Sequence, residues 1–471
     1  MSALEVDQPQ PTPAGLGTAP VSITRRRFAL SIRERRVVLA TADFLIGALA
    51  CYVAFVVVSH PHLVQLEVYE PVIIGAFWVV SLLIADGYAS QIPSSRAESW
   101  FAVLKASPIA ALLTVLVFFL HPYVLTRPVI VLALALGATL MIVSRVTAAR
   151  LLLHESLATR VILISNTEPS PEVVNALRMA RFEYRVVETF IRDGGDSAAD
   201  DDVVMRLRDI LRRTGVEEVI VTSNELRLVP GLVEECLTHS VRLVMAGDII
   251  ERYTGRVPID SVDVHWYLTL PDSDVWRRPY AAARRLTDLL LAVVIGFPFL
   301  VLLPLLAALI KLDSPGPVFL AQRRVGEGGN EFSLRKLRTM TVDAEAGGAR
   351  YTAAHDPRIT RVGRFLRTIR LDEFPQLLNI VRGDMSFIGP RPERPEFETD
   401  LEARVPHFRS RLLVKPGVTG WAQIKGGYAS TLPEITRKLE YDLYYIKNRS
   451  LRLDVQILFS TFGTVLSRKG R

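Results

Sequence analysis

Residues 286–310 read LTDLLLAVVIGFPFLVLLPLLAALI, and the placement of everything after them depends on how this run meets a membrane. It is long enough to cross a hydrocarbon layer. A full crossing would put the chain beyond Lys311 on the opposite side from the chain before Leu286. Both flanks are basic, however: Arg277, Arg278, Arg284 and Arg285 come before, and Lys311, Arg323, Arg324, Arg335 and Lys336 come after. Clustered Lys and Arg mark the cytoplasmic side, so both ends claim the same side. The run also holds Gly296, Pro298 and Pro304, and proline removes a backbone donor and kinks a helix. A re-entrant helix, broken at Pro298 and Pro304, enters one leaflet and returns. It satisfies both flanks, which an ordinary kinked span does not.

Four more apolar runs precede it, at about 38–60, 71–88, 103–124 and 128–145, each near membrane-crossing length. Arg25, Arg26, Arg27, Arg33, Arg35 and Arg36 lie ahead of the first, and Arg145, Arg150 and Arg160 close the fourth. The loop His60–Glu70 carries no Lys or Arg, and the loop after the third run has only Arg127. The N-terminus and the region after Arg150 are therefore expected in the cytoplasm. Asp43 and Asp86 fall inside these runs near their cytoplasmic ends, and read as wet interfacial acids rather than functional intramembrane ones. The first 24 residues lack apolar periodicity and read as a disordered tail, not a signal peptide.

Composition agrees with a membrane part joined to soluble parts. Of 471 residues, 49% are hydrophobic and 22% charged, so the apolar residues are concentrated in blocks while charge stays near the soluble average. A net charge of +7 suits anionic lipid, phosphorylated substrate or nucleic acid. The basic residues track membrane edges, and no stacking motif or helix-turn-helix pattern is present, which sets nucleic acid aside. Two cysteines, Cys51 and Cys236, cannot build a disulfide framework or a cysteine metal cluster.

From about Arg160 to Asp248, short β-branched runs (RVILIS, YRVVET, EEVIVTS, VRLVMAG) alternate with helical segments near 172–181, 202–213 and 232–239. This alternation predicts a small parallel α/β sheet. The segment after the first strand is SNTEPSPEV, without the glycines of a dinucleotide fingerprint. The module reads as a packing or regulatory element without a nucleotide.

The chemistry is expected near Asp372 and Glu373. They precede FPQLLNIV, a short amphipathic helix with Pro375 in its first turn. That places Asp372 at or near an N-cap, where free N–H groups would keep it ionised and draw phosphate. Neighbouring residues on a helix point about a quarter-turn apart, so one carboxylate can attack while the other holds a metal. A carboxylate attacks a phosphate only when cations neutralise that phosphate. Lys336, Arg338, Arg367, Arg370 and Arg391 are the candidate cations. Alone, an Asp-Glu pair reads as a cap and a solvated acid; the basic frame and the adjoining membrane run favour catalysis. Ahead of it, RITRVGRFLRTIR sets Ile359, Val362, Phe365 and Ile369 at helical spacing, with Arg358, Arg361, Arg364 and Arg367 between them. This predicts an interfacial helix.

These segments resemble a family. KLDSPGPVFLAQRRVG (311–326), LRKLRTM (334–340), LDEFPQLLNIVRGDMSFIGPRP (371–392), KPGVTGWAQIKG (415–426) and YDLYYIKNRSLRLDVQIL (441–458) are similar, in order, to the bacterial sugar transferases, the monotopic phosphoglycosyl transferases. The resemblance covers about 284–471, and the N-terminal part resembles the family's larger architecture. With the patterns above it divides the chain into a disordered basic tail over 1–36, four transmembrane helices over 37–150, a Rossmann-like α/β module over 160–250, and a mostly helical catalytic domain with a re-entrant helix over 284–471.

It also implies a reaction: a UDP-hexose gives its hexose-1-phosphate to undecaprenyl phosphate, releasing UMP, in exopolysaccharide, capsule or O-antigen synthesis. In the family the aspartate is the nucleophile and the glutamate binds Mg²⁺, which matches Asp372 and Glu373. Lys336 matches a catalytic lysine; Arg367 and Arg391 match phosphate contacts, and Arg338 joins them as a phosphate-binding candidate. The family's helix break is a Ser-Pro pair or a proline near Val301, where this chain has Pro298 and Pro304. The implied setting is the bacterial inner membrane, with inner-membrane lipids as partners, the catalytic domain on the cytoplasmic face, and a homodimer as a candidate assembly. The alternatives are a polytopic transferase or phosphatase without a covalent step, and a membrane scaffold or sensor with a degenerate transferase domain.

Overall fold

A computed structural model describes residues 32–58, 69–85, 87–88, 96–120, 126–152, 158–181, 183–191, 197–222, 230–270, 274–345, 356–427 and 431–466. The expected N-terminal tail, residues 60–68 of the loop after the first apolar run, and Asp86 lie outside them. The chain divides into two compact units. One comprises residues 1–76, 88–104 and 114–253, and the other 77–87, 105–113 and 254–471.

Four helices come first: α1 (Ile32–Val58), α2 (Tyr69–Ile84), α3 (Arg96–Leu120) and α4 (Arg127–Leu152). Among the described residues three helical stretches are long and apolar enough to cross a membrane: Arg36–Val58, Arg127–Ala148 and Arg278–Asp313. α2 and the apolar part of α3 are shorter. In the first unit α1 packs along α4, and an ion pair joins them. Arg145 Nη2 lies 2.5 Å from Asp43 Oδ2, with both side chains buried. Tyr88 donates to the same oxygen at 2.9 Å, and the Arg145 guanidinium lies over the Tyr88 ring. Asp43 is therefore not a wet interfacial acid. Its partner stands 102 positions away in sequence, beyond the reach of any local pattern.

The same unit holds a four-stranded parallel sheet, β1 (Thr159–Ser165), β2 (Tyr184–Ile191), β3 (Glu218–Val221) and β4 (Arg242–Met245), in the order β2-β1-β3-β4. Four helices accompany it: α5 (Pro171–Met179), α6 (Ser197–Thr214), α7 (Pro230–Thr238) and α8 (Ala246–Thr254). β1 and β3 are central and nearly continuous in apolar residues because both faces are covered. Ile162, Ile164, Val219 and Val221 pack with α6 and α7 on one side. Val161, Leu163 and Ile220 pack with α5 and α8 on the other. The alternation read from sequence is the observed architecture.

The second unit contains α9 (Val264–Leu268) and α10 (Asp274–Asp313), a helix uninterrupted over 40 residues with Pro279, Pro298 and Pro304 inside it. Pro298 and Pro304 leave the carbonyls four residues back, those of Val294 and Leu300, without a helical donor. The helix docks through one face. Asp288, Ala292, Phe299, Leu306 and Ile310 are buried, with Ile295 and Leu303 half-buried among them. Their spacing of three and four places them on one stripe. Val293, Val294, Phe297, Leu300 and Val301 on other faces are exposed.

Polar contacts pin both ends. Arg284 donates to Ser386 and to the Ile388 carbonyl, and Arg285 to the carbonyls of Ile380 and Val381. Asp288 accepts from Ser386 Oγ and Phe387 N, at 3.0 Å each. At the far end Asp313 accepts from Val362 N at 2.8 Å.

The remaining elements are the antiparallel hairpin β5 (Phe319–Val325) and β6 (Glu331–Leu337), α11 (Arg361–Thr368), a 3₁₀ turn (Leu371–Gln376), α12 (Leu377–Arg382), and β7 (Ser386–Ile388), paired in parallel with β8 (Gly417–Thr419). Among them come α13 (Pro395–Arg404) and a 3₁₀ turn (Phe408–Leu413). α14 (Trp421–Lys425), α15 (Leu432–Lys447) and α16 (Leu451–Leu466) follow. α11 buries Gly363 and Leu366 and exposes Phe365 and Ile369 together with Arg361 and Arg364. Its apolar residues thus divide between core and outside, where the sequence pattern put them on one face. Gly363 is required by contact, because a Cβ there would lie 2.1 Å from the Thr339 carbonyl oxygen.

Candidate active site

Asp372 and Glu373 lie in the 3₁₀ turn, not at a helix N-cap. The chain leaves α11 through Arg370, whose backbone is left-handed (φ 60°), a conformation a non-glycine residue rarely adopts. This reversal turns the two acids inward, and each is only 8% exposed. The turn packs on β6, the strand that carries Lys336. Asn379 of α12 fixes that strand: its Nδ2 donates to the Ser333 carbonyl at 2.8 Å and its Oδ1 accepts from Arg335 N at 3.2 Å. It thus grips the backbone just before Lys336. A lone Asn among the apolar residues of LLNIV was the available sign of this role, and sequence reasoning passed over it.

The two acids have different surroundings. Glu373 Oε1 accepts from Arg391 Nη2 at 2.9 Å and lies 3.6 Å from Arg370 Nη1. Burial pushes its carboxyl up, but Arg391 and Lys336 outweigh burial and hold it at about 2. Asp372 makes no hydrogen bond or ion pair among the described residues, and its Oδ1 is fully buried without a donor. Burial and the neighbouring Glu373 raise its carboxyl above the usual range, against the pull of Lys336, Arg367 and Arg370. The N-cap reading expected the opposite direction, because it assumed free backbone N–H groups that the 3₁₀ turn does not aim at this carboxylate.

Lys336 likewise has no hydrogen-bond or ion-pair partner among the described residues; burial and Arg391 bring its amine down to about 8. Arg367 donates from Nε to Thr339 Oγ1 at 2.8 Å, and burial lowers its guanidinium. Arg338 differs from its expected role. Its Nη1 and Nη2 donate to the carbonyls of Pro315 and Ser314 at 2.6 Å each, so it closes the C-terminal end of α10 and is not displayed to a phosphate. Pro298 and Pro304 lie in α10; Phe299, beside Pro298, packs against Phe374 of the turn with the rings tilted at 55° and their centroids 5.4 Å apart.

The structure thus brings Asp372, Glu373, Lys336, Arg367, Arg370 and Arg391 within one another's electrostatic reach. A buried carboxylate without donors is basic and nucleophilic, and the surrounding cations suit a multiply charged phosphate. No group of three or more His, Cys, Asp or Glu among the described residues is placed to cage a metal. Two adjacent carboxylates, one with an orphaned oxygen, fit a hard cation such as Mg²⁺ that takes its other ligands from phosphate oxygens and water.

Arg391 lies in a loop held by close backbone contact. A Cβ on Gly389 would stand 2.3 Å from the Lys415 carbonyl oxygen, so this position admits only glycine. Behind the loop is a buried charge cluster. Arg411 lies 3.7 Å from Glu398, 3.8 Å from Asp442 and 3.9 Å from Glu393. Lys438 lies 3.9 Å from Glu393. Burial raises Glu398 to about 7 despite Arg411, with Glu393, Glu402 and Asp442 adding to the rise. Burial raises Asp442 to about 6 against Arg411 and Lys438. Folded Glu398 keeps a proton that the unfolded chain has lost, so stability falls as pH rises from about 4.5 to about 7. Glu398→Gln removes this dependence. Between pH 5 and pH 8 its melting temperature should gain several degrees relative to wild type, at about 2–4 °C per kcal/mol. Thermal unfolding at both pH values checks this, and parallel curves count against it.

Residues 279–468 match the family described as bacterial sugar transferase. The chain is 43% identical over 235 residues to the UDP-N-acetylgalactosamine-undecaprenyl-phosphate N-acetylgalactosaminephosphotransferase of Aeromonas hydrophila, covering 50% of this chain and 55% of that protein. It is 42% identical over 302 residues to the UDP-glucose:undecaprenyl-phosphate glucose-1-phosphate transferase of Xanthomonas campestris pv. campestris, covering 63% and 62%. A protein of the same description from Caulobacter vibrioides is 38% identical over 213 residues, which are 45% of this chain and 80% of that one. The chain spans under two thirds of the length of the first two relatives. With most of the Caulobacter protein covered, and with the matched segment holding both the acidic pair and its cations, the chain belongs to the bacterial sugar transferase family.

Proposed function

We propose that the protein transfers a hexose-1-phosphate from a UDP-sugar to undecaprenyl phosphate, through a covalent intermediate on Asp372, at the cytoplasmic face of the bacterial inner membrane. One observation carries the reading: a buried carboxylate with no hydrogen-bond or ion-pair partner among the described residues, ringed by Lys336, Arg367 and Arg370, in the unit that holds the exposed apolar face of α10. The Asp372 oxygen forms a bond to the β-phosphorus of the donor, and the bond from that phosphorus to the bridging oxygen breaks. UMP leaves with the electron pair. An oxygen of the lipid phosphate then attacks the aspartyl phosphosugar and returns Asp372 as carboxylate. A two-step route suits substrates from different phases, which need not meet at once.

Lys336, Arg367 and Arg391 hold the phosphates, and Arg391 keeps Glu373 ionised. Glu373 would hold Mg²⁺, which when bound spreads phosphate charge. The relatives are named for N-acetylgalactosamine and for glucose, so the donor is a UDP-hexose of that kind.

The four N-terminal helices span the membrane, and α10 dips into one leaflet without crossing it, as a helix that continues through Pro298 and Pro304 where the sequence predicts a break. Support for the dip comes from the pins: Arg284, Arg285 and Asp288 near one end and Asp313 at the other contact the same unit. Purified membranes given a panel of UDP-sugars should release UMP without added lipid, and should form lipid-linked sugar once undecaprenyl phosphate is supplied. UMP release that strictly requires lipid would exclude the covalent route. Labelling of cysteines introduced beyond Lys311 in intact cells should fail from the periplasm; labelling there sinks the topology.

A further inference from the structure

The loop 389–393 is held at every carbonyl from Pro390 to Glu393. Gly417 N donates to Pro390 O at 2.9 Å, and Val325 N to Glu393 O at 3.0 Å. Arg324 Nη1 donates to Pro392 O at 3.1 Å, and Arg411 Nη2 donates to Arg391 O. Three of these donors come from the loop's neighbours in the β5 and β8 segments. The fourth does not. Arg411 arises from the 3₁₀ turn Phe408–Leu413, and its guanidinium is set by Glu393 of the loop, Glu398 of α13 and Asp442 of α15.

All three of Arg411, Glu398 and Asp442 are at most 4% exposed. Among the described residues both Glu398 oxygens are buried without a hydrogen-bond donor, and a small cavity lined by Arg391, Glu398 and Arg411 adjoins them. A side chain this deeply buried and surrounded by charge, yet aimed at one backbone oxygen, is more than is needed to fill space. Its target is the residue whose other end pairs with Glu373 at 2.9 Å.

We propose that Arg411 is a positioning residue for phosphosugar transfer: seated among Glu393, Glu398 and Asp442, it holds the Arg391 carbonyl and thereby fixes where the Arg391 guanidinium meets Glu373. This rests on the transferase reading for its catalytic consequence, though not for its geometry. Lysine at 411 keeps the charge but has one nitrogen centre, which cannot serve the three acids and the carbonyl together. Displacements of about 1 Å in such a frame lower turnover on the order of 100-fold.

The test uses the full-length protein in detergent or nanodiscs. The rate at which phenylglyoxal modifies Arg391 is read by peptide mass spectrometry, with Arg364, exposed on α11, as the control. In Arg411→Lys the Arg391 rate should rise at least about fivefold and the Arg364 rate should not change. UMP release from the UDP-sugar should fall by about 30–100-fold in kcat/KM. In the background of Arg391→Lys, adding Arg411→Lys should change UMP release by less than about twofold, since a residue acting through Arg391 has nothing left to act on. Unchanged labelling at Arg391, or additive losses in the double variant, would overturn the proposal and leave Arg411 a purely structural residue. Asp442→Asn, which removes one of the acids around Arg411, should shift Arg391 labelling in the same direction by a smaller factor; it decides the matter if Arg411→Lys does not fold. Labelling needs no donor, so a wild type that releases no UMP with any UDP-sugar refutes the transferase reading, while the labelling result still judges Arg411.

Discussion

Asp372→Asn is expected to lower sugar-phosphate transfer by at least about 1,000-fold, to eliminate any sugar-phosphate adduct trapped on the protein, and to leave the fold as stable as wild type or more so. The two halves of this expectation come from one feature. The carboxylate is buried beside Glu373, has no donor among the described residues, and is raised by burial and by that neighbour. Asparagine keeps its shape and removes the charge whose burial is unfavourable. A site that gains stability when its nucleophile is neutralised is one that carries strain for the sake of reaction. The checks are radiolabel transfer from the UDP-sugar and thermal unfolding on the same preparation. Wild-type turnover in a folded Asn variant would remove Asp372 from the chemistry. A large loss of stability would show that Asp372 is a structural acid.

Glu373→Gln should behave oppositely in stability. Glu373 accepts from Arg391, and its carboxyl is held down at about 2, with burial opposed by Arg391 and Lys336. Replacing it leaves a half-buried guanidinium without its carboxylate, a change of about 1–3 kcal/mol. Transfer should fall about 100-fold or more, and the Mg²⁺ concentration giving half-maximal activity should rise. An unchanged metal titration, with unfolding also unchanged, would mean that Glu373 neither holds a cation nor anchors Arg391. Adjacent in sequence and equal in exposure, these two acids should separate cleanly: one variant inactive and firm, the other inactive and weakened.

How much of this could be read from the chain depended on distance along it. The parallel sheet was legible because β-branched runs at regular spacing are a local signal, and Ile162, Ile164, Val219 and Val221 answer to it directly. The motif around Asp372 was legible because the acids, Pro375 and the cations are concentrated in a few short segments. The Asp43–Arg145 pair was not, since its members meet only once α1 and α4 pack. Arg338 and Arg367 stand in similarly basic surroundings in sequence. Only the fold shows that the first is spent on the carbonyls of Ser314 and Pro315, while the second stays beside Asp372. The direction of the Asp372 shift was missed for a related reason: the 3₁₀ turn, entered through the left-handed Arg370, replaces the expected α-helical start. Asp288 was hidden by its setting, a single acid in an apolar run whose partner Ser386 is encoded 98 residues later.

That separation has a consequence for synthesis. The oily segment leaves the ribosome well before the groups that clasp it: Val362 follows Asp313 by 49 residues and Ser386 follows Asp288 by 98. At about 5–20 residues per second, translation leaves the newborn helix without its clasp for several seconds. In that interval a membrane is the nonpolar surface the segment is expected to meet, so the bilayer should receive it first and the folded domain close over it afterwards.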